Sequence, residues 1–227
     1  MMSTLNCLND LHQKLAPGSY LEIGVREGAS LALSRCSSIG IDPAFNIKAG
    51  ITCPVSLYKM ISDDFFAQTP RSDIFSGSAI DFGFIDGYHN FDFALRDFIN
   101  LEKLTHSRSV IVFDDVLPRD EKQAELKPHG GAWAGDVWRI MRCLRTKRPD
   151  LKLTAVSTNP CGLLIITGCD AANSVLADNY DDVVRAFTGG ANTAYPGCEA
   201  LLEEFNFVET LPAINDLFHD GLSPKLA

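Results

Sequence analysis

The sequence lacks the features of a membrane-spanning, secreted or disulfide-bonded protein. No apolar run approaches the ~20 residues that a helix needs to cross a bilayer. The first residues contain no basic stretch followed by an apolar segment, so we expect no signal peptide. The seven cysteines are odd in number and none forms a CxxC pair, which argues against a disulfide framework or a zinc site. We therefore expect a cytoplasmic protein with no membrane as a partner.

A concentrated track of basic residues is also missing. The 227 residues include 20 Lys and Arg against 29 Asp and Glu, a formal net charge of −9. The densest basic stretch, residues 139–148, has a helical pattern and is interpreted as a solvated face. Binding to nucleic-acid phosphates needs clustered positive charge, so we expect no nucleic acid as a partner. With 46% apolar residues, the chain is long enough for one large domain.

Short apolar segments alternate with helical patterns along the chain. This alternation predicts an α/β fold with a doubly wound parallel sheet. The last two strands are close enough to form an antiparallel hairpin, which would make the sheet mixed. The predicted strands are 20–23, 38–41, 55–60, 80–85, 109–113, 151–157 and 163–167, and the predicted helices include 5–15, 30–34, 91–104 and 136–144.

The first candidate site is the turn Glu22-Ile-Gly24-Val-Arg26-Glu-Gly28 after the first strand. Its glycines allow the backbone to turn tightly and to approach a ligand. Asp42 ends the next strand, where a carboxylate can accept hydrogen bonds from ribose hydroxyls. Arg26 occupies the middle glycine position of a GxGxxG pattern and would crowd a pyrophosphate. We therefore favour a nucleoside without phosphates over a nicotinamide dinucleotide. The alternative is a glycine turn with a surface Asp.

Carboxylates follow two further strands, at Asp86 and at Asp114 and Asp115. The ends of adjacent parallel strands lie under ~5 Å apart, so these groups can converge. A hard divalent cation such as Mg²⁺ would relieve their repulsion. His89 lies three residues beyond Asp86, and its imidazole could take a proton from a substrate hydroxyl. Alternatively, the aspartates cap a helix or turn and His89 is a surface or packing residue.

Two weaker candidates complete the set. Ser62 and Asp63 follow the third strand and could meet an adenine, although a solvated helix start with Ser62 as N-cap is the alternative that we favour. The loop 119–136 contains Gly130, Gly131 and Trp133 and could close over a substrate.

The motifs resemble those of a known family. Residues 21–30, followed by Ile-Gly-Ile-Asp42, are similar to the cofactor-binding start of class I S-adenosylmethionine (SAM)-dependent methyltransferases. Phe84-Ile-Asp-Gly-Tyr-His89, Asp97 and Val-Ile-Val-Phe-Asp-Asp115 resemble a narrower group. That group contains macrolide sugar O-methyltransferases of the macrocin and mycinamicin type and cephalosporin-biosynthesis enzymes. The resemblance spans residues 19–168.

The resemblance implies a Rossmann-like class I methyltransferase fold, with a mixed seven-stranded sheet of order 3-2-1-4-5-7-6 flanked by helices. It implies SAM and Mg²⁺ as cofactors and metal-assisted O-methylation of a small-molecule hydroxyl, on a sugar or another natural product. The alternative is a non-catalytic nucleoside-binding or scaffold protein that retains the fold. The implied cofactor-binding residues are Glu22, Gly24, Gly28, Ser30, Asp42, Ser62, Asp63 and Asp86, the metal ligands are Asp86, Asp114 and Asp115, and the general base is His89.

We expect residues 1–171 to form the methyltransferase domain and residues 172–227 to form a helical extension packed on it. The sequence leaves open whether this extension forms a dimer contact or a lid. It also leaves open whether identical copies of the chain associate.

Overall fold

The computed structural model describes residues 2–190 and 194–219. Its strands are β1 (Met2–Ser3), β2 (Ser19–Ile23), β3 (Ser37–Ile41), β4 (Val55–Tyr58), β5 (Ile80–Ile85), β6 (Thr105–Phe113), β7 (Lys152–Val156), β8 (Thr158–Asn159) and β9 (Leu163–Thr167). Its α-helices are α1 (Thr4–Leu15), α2 (Ser62–Gln68), α3 (Phe91–Glu102), α4 (Arg139–Lys147), α5 (Val175–Asp178), α6 (Tyr180–Thr188) and α7 (Cys198–Phe205).

A seven-stranded sheet of order β4-β3-β2-β5-β6-β9-β7 forms the centre of the fold. Its members pair in parallel from β4 to β6, whereas β9 is antiparallel to both β6 and β7. If only these seven strands are counted along the chain, their order is 3-2-1-4-5-7-6. The predicted fold class, mixed sheet and terminal hairpin are therefore confirmed.

The sheet is buried on both faces, because its central strands are apolar at every other position on each side. In β6, Val110 and Val112 pack on the face covered by α1, whereas Ile111 and Phe113 pack on the face covered by α3 and α4. Such near-continuous apolar strands are typical of parallel sheets with helices on both faces.

Three local features differ from the sequence prediction. The helix expected over residues 30–34 is a single 3₁₀ turn, Leu31–Leu33. The hydroxyl of Ser30 does not cap a helix there, because it donates to Glu22 instead. Strand β6 begins at Thr105, four residues earlier than predicted. A two-stranded parallel pairing of β1 with β8, which the sequence did not indicate, fixes the start of the described chain beside residues 158–159.

The C-terminal helices share the core of the sheet. Leu176, Val183 and Leu201 are buried in the same apolar cluster as residues of α3 and α4. The division of the chain at residue 171 stays a prediction. In the described part of the chain, no helix is both long and apolar enough to span a membrane.

Candidate active site

A cavity of about 800 Å³ opens at the carboxyl ends of the central parallel strands. This is the edge of an open α/β sheet at which ligands bind. One side of the cavity follows β2 and β3, and the other follows β5 and β6. The lining residues include Gly24, Arg26, Ser30, Asp42 and Ser62 on the first side and Asp86, His89, Asp114, Asp115 and Trp133 on the second.

The turn after β2 is shaped by Gly24, which has a φ of +91°. A Cβ added at this position would lie 1.8 Å from the carbonyl oxygen of Asp86, so no other residue fits without moving the end of β5. Two positions further along the turn, Arg26 also has positive φ, and its backbone N–H donates to Asp42 Oδ2 at 2.8 Å. Local geometry therefore locks the turn to the end of β3.

Asp42 lines the cavity with a carboxylate whose orientation is fixed. Its Oδ1 accepts from the backbone N–H of Ala44 at 2.6 Å, while Oδ2 accepts from Arg26. A carboxylate has about four lone-pair positions, so each oxygen retains capacity for a hydroxyl donor. This arrangement suits a ribose with two neighbouring hydroxyls.

Glu22 lies beneath the cavity and does not line it. It is fully buried and accepts hydrogen bonds from the hydroxyls of Tyr20 at 2.7 Å and Ser30 at 2.6 Å. Burial raises the pKa of Glu22 to about 8, although both hydrogen bonds oppose the shift. Gly28, with a φ of +81°, is also outside the lining residues. Both residues therefore shape the turn from behind, and Ser30 connects Glu22 to the cavity wall.

The single 3₁₀ turn Leu31–Leu33 has a consequence for the type of nucleotide. A dinucleotide pyrophosphate normally rests on the N-terminus of the helix that follows the glycine turn. No α-helix is present between β2 and β3, a stretch that is described in full. The cavity therefore lacks the usual phosphate site, which favours a nucleoside ligand without phosphates.

The two residues predicted to meet the adenine have different positions. Ser62 lines the cavity. Ile61 occupies the N-cap position of α2, and within the described residues no side chain caps this helix, so the alternative that Ser62 is the N-cap is wrong. The N–H of Arg96 Nε is shared between the two carboxylate oxygens of Asp63, at 3.1 and 3.0 Å, and Asp63 is not among the lining residues. The structure therefore brings Ser62 to the cavity but directs Asp63 towards α3.

On the other side of the cavity, His89 lies between two carboxylates. Its Nε2 is 3.2 Å from Asp86 Oδ1 and 3.0 Å from Asp115 Oδ2. One potential ligand atom from each of these residues lies within 4.8 Å of the other two. Asp114 also lines the cavity but is not a member of this group. Its Oδ1 accepts from the backbone N–H of Asp115 at 2.8 Å.

The charges of this cluster are strongly coupled. Burial lowers the pKa of His89, but the charges of Asp115 and Asp86 outweigh it and raise the value to about 10. Burial raises the pKa of Asp115 to about 7, although the His89 charge opposes the shift. Burial, together with the charges of Asp115 and Asp86, raises the pKa of Asp114 well above its ordinary value. The cluster thus favours a proton or another positive charge between Asp86 and Asp115.

Distant parts of the chain complete the second side of the cavity. Thr4 and Leu5 of α1 and Pro160 and Cys161 after β8 also line it. The Thr4 hydroxyl is 3.1 Å from that of Thr158, which ties these two segments together. The sequence analysis missed all four lining residues, because no local motif marks positions that meet through a tertiary contact. It did single out the loop of Trp133, which also reaches the cavity.

The sheet order and the position of the cavity define a Rossmann-like class I methyltransferase fold. Residues 21–116, less than half of the chain, match a family model described as a methyltransferase domain. These residues run from β2 to just past Asp115. They include the named lining residues on both sides of the cavity except Trp133. No curated protein sequence matches the chain.

Solved structures agree on the fold. The cofactor-bound protein Rv0187 from MTB is 18% identical, with a TM-score of 0.52 over 72% of this chain and 78% of that chain. The O-methyltransferase TomG from Streptomyces achromogenes, involved in tomaymycin synthesis and solved in complex with SAM, is 19% identical, with a TM-score of 0.52 and the same coverage. At these identities the likeness shows the fold alone.

Proposed function

We propose that this protein is a SAM-dependent methyltransferase that transfers a methyl group to a hydroxyl oxygen of a small molecule. One observation carries the proposal: a single cavity joins a rigid, ribose-compatible carboxylate at Asp42 to a cluster of ionisable groups at Asp86, His89 and Asp115. The family match over residues 21–116 and the cofactor-bound structural neighbours support it.

The first side of the cavity would hold the cofactor by its nucleoside. Asp42 would accept the ribose hydroxyls, and the turn at Gly24 would let the rest of the cofactor approach the backbone. Ser62 would face the adenine, while Asp63 would support α2 through Arg96. The methyl group would then point towards the second side, where positioning of the acceptor lowers the barrier.

The second side would orient the acceptor hydroxyl and control its proton. A divalent cation, when bound there, would lower the pKa of that hydroxyl and neutralise the carboxylates. Two carboxylates and an imidazole are a donor set that fits such an ion. Without a bound ion, the charges of Asp115 and Asp86 raise the pKa of His89 and favour its protonated form, whereas a bound cation would offset those charges. The role of His89 as the general base stays a prediction.

The acceptor would be a small natural-product alcohol, and a sugar hydroxyl of the macrolide or cephalosporin-related kind is the finer proposal. The cavity is large enough for a cofactor together with a small acceptor, because typical ligand pockets measure about 300–1,000 Å³. The wall offered by Leu5, Tyr88 and Trp133 would contact the acceptor's apolar surface, and the reaction would take place in the cytoplasm.

Calorimetric titration with S-adenosylhomocysteine (SAH) tests the cofactor. We expect Asp42→Ala to weaken SAH binding at least about 10-fold, because hydrogen bonds to a charged group contribute about 1.5–3 kcal/mol each. Asp64→Ala removes an exposed carboxylate near the start of α2 and should leave the affinity unchanged. A chain whose melting temperature rises with NAD but not with SAH would contradict the proposal.

Transfer of a labelled methyl group from SAM to a panel of sugars, phenols and other alcohols tests the reaction itself. Labelled product that depends on Asp115 would support catalysis at this cavity. A protein that binds SAH but methylates no hydroxyl compound would instead be a nucleoside-binding scaffold.

A further inference from the structure

We propose that the cation at this site is ligated by Asp86, His89 and Asp115, with His89 Nε2 as a direct ligand and Asp114 outside the coordination sphere. The proposal rests on the proposed function, since it deepens the description of the same cavity. It departs from the arrangement that the sequence resemblance implies, in which three aspartates hold the ion and His89 is the base.

The distances within the cluster fit shared ligation. Two donors that each lie about 2.1 Å from a cation, at right angles to one another, are about 3.0 Å apart. His89 Nε2 lies 3.0 Å from Asp115 Oδ2 and 3.2 Å from Asp86 Oδ1. All three residues line the cavity, so the remaining coordination positions would be open to water or to an acceptor hydroxyl. A cation that displaces the proton of Nε2 into solvent could therefore contact all three side chains.

The opposite side of the imidazole provides independent support. His89 Nδ1 is 2.6 Å from the carbonyl oxygen of Trp133, a group that can only accept, so Nδ1 carries the proton. The Trp133 ring also stacks on the imidazole, with 4.9 Å between ring centroids and 23° between planes. Metal-bound histidines typically donate their second ring N–H to a backbone carbonyl or carboxylate, which fixes the ring. His89 is held in this way before any ion arrives.

Asp114 has a different task in this arrangement. Its Oδ1 accepts from the backbone N–H of Asp115, and Asp115 has a φ of +62°, a conformation that residues other than glycine rarely adopt. The contact stabilises the turn that directs the Asp115 carboxylate towards His89. Asp114 is thus a positioning residue for one of the ligands.

This donor set has consequences for the metal and for the reaction. Imidazole nitrogen suits Zn²⁺ and Fe²⁺, and carboxylates also suit Mn²⁺, whereas Mg²⁺ prefers oxygen donors alone. We therefore expect a first-row divalent ion in place of Mg²⁺. With Nε2 on the metal and Nδ1 on Trp133, His89 has no ring nitrogen left to take a proton from the acceptor.

Metal titration of tag-free, chelator-treated protein tests the assignment. Zn²⁺ binds most nitrogen- and oxygen-containing sites more tightly than Mg²⁺, so the informative comparison is between variants. His89→Gln should weaken Zn²⁺ binding at least about 10-fold. Loss of a group that merely orients a metal ligand already costs about 10- to 100-fold in affinity, and loss of a direct ligand should cost no less. Asp114→Asn keeps a side-chain oxygen for the Asp115 N–H and should stay within about threefold of the wild type. Pulsed electron paramagnetic resonance of the Mn²⁺-loaded protein should show a directly coordinated nitrogen that is absent from His89→Gln.

Several outcomes would overturn the proposal. These are a larger loss of Zn²⁺ affinity in Asp114→Asn than in His89→Gln, the absence of nitrogen coupling to Mn²⁺, or the failure of both Zn²⁺ and Mn²⁺ to bind. A parallel SAH titration separates this failure from that of the proposed function. If SAH binds normally while nitrogen coupling is missing, only the ligand assignment is wrong. If SAH does not bind, the proposed function itself is wrong.

Discussion

Acidification should destabilise this protein through His12, a histidine at the end of α1 that is 2% exposed. Its imidazole packs edge-on against the rings of Tyr20 and Phe82, at centroid distances of 4.6 and 4.8 Å. Within residues 2–190 and 194–219, neither ring nitrogen has a hydrogen-bond partner. Burial, with a smaller effect of the Arg35 charge, lowers the pKa of His12 from 6.5 to about 4.

The size of the effect follows from the difference between the folded and unfolded states. The unfolded chain takes up this proton near pH 6.5, whereas the folded chain does so only near pH 4. Between these values the unfolded state binds more protons, so stability falls as the pH falls. At about 1.4 kcal/mol per pH unit, the loss attributable to His12 is about 3 kcal/mol, complete near pH 4.

Urea unfolding of the wild type and of His12→Phe, followed by tryptophan fluorescence at several values between pH 7.5 and pH 4, measures this loss. Other groups titrate in the same range, so the difference between the two proteins is the informative quantity. On acidification we expect the free energy of unfolding of His12→Phe to rise by about 3 kcal/mol relative to that of the wild type. His219→Gln removes an exposed imidazole and serves as the control. A difference between wild type and His12→Phe that does not depend on pH would refute the reasoning.

Three further predictions concern single substitutions. Gly24→Ala should lower the free energy of unfolding by at least about 3 kcal/mol, because the added Cβ is strained at positive φ and clashes with the backbone. It should also abolish SAH binding. Thermal melting and calorimetry measure these two effects, and unchanged values would contradict the turn geometry. Arg148→Met should lower the free energy of unfolding by about 3–5 kcal/mol, because it leaves the buried carboxylate of Glu102 without its partner at 2.6 Å. Urea unfolding measures this loss, and a value below about 1 kcal/mol would show that the ion pair is dispensable. Asp63→Asn should change SAH affinity less than about threefold, since Asp63 pairs with Arg96; a 10-fold loss would instead indicate an adenine contact.

The sequence by itself determined the fold class and the edge of the sheet at which the site lies. Strand and helix periodicity fix which segments are buried, and polar residues directly after strands must come together at one edge. For this reason Asp42, Asp86 and Asp115 could be assigned to the same cavity from the chain alone. The glycine at position 24 was also readable, because only glycine fits a turn with that φ.

Only the tertiary structure decided what each side chain contacts within that edge. The periodicity of residues 30–34 predicted a helix, yet the Ser30 hydroxyl donates to Glu22 and the segment forms one 3₁₀ turn. The sequence placed Asp63 at the adenine, but its carboxylate pairs with Arg96. Asp114 lines the cavity as expected, and its carboxylate also accepts from the Asp115 backbone N–H, a contact that no local pattern indicated. His89 meets two carboxylates and Trp133 through loops far apart in the chain. Side-chain direction depends on such long-range contacts, and a local pattern carries no information about them.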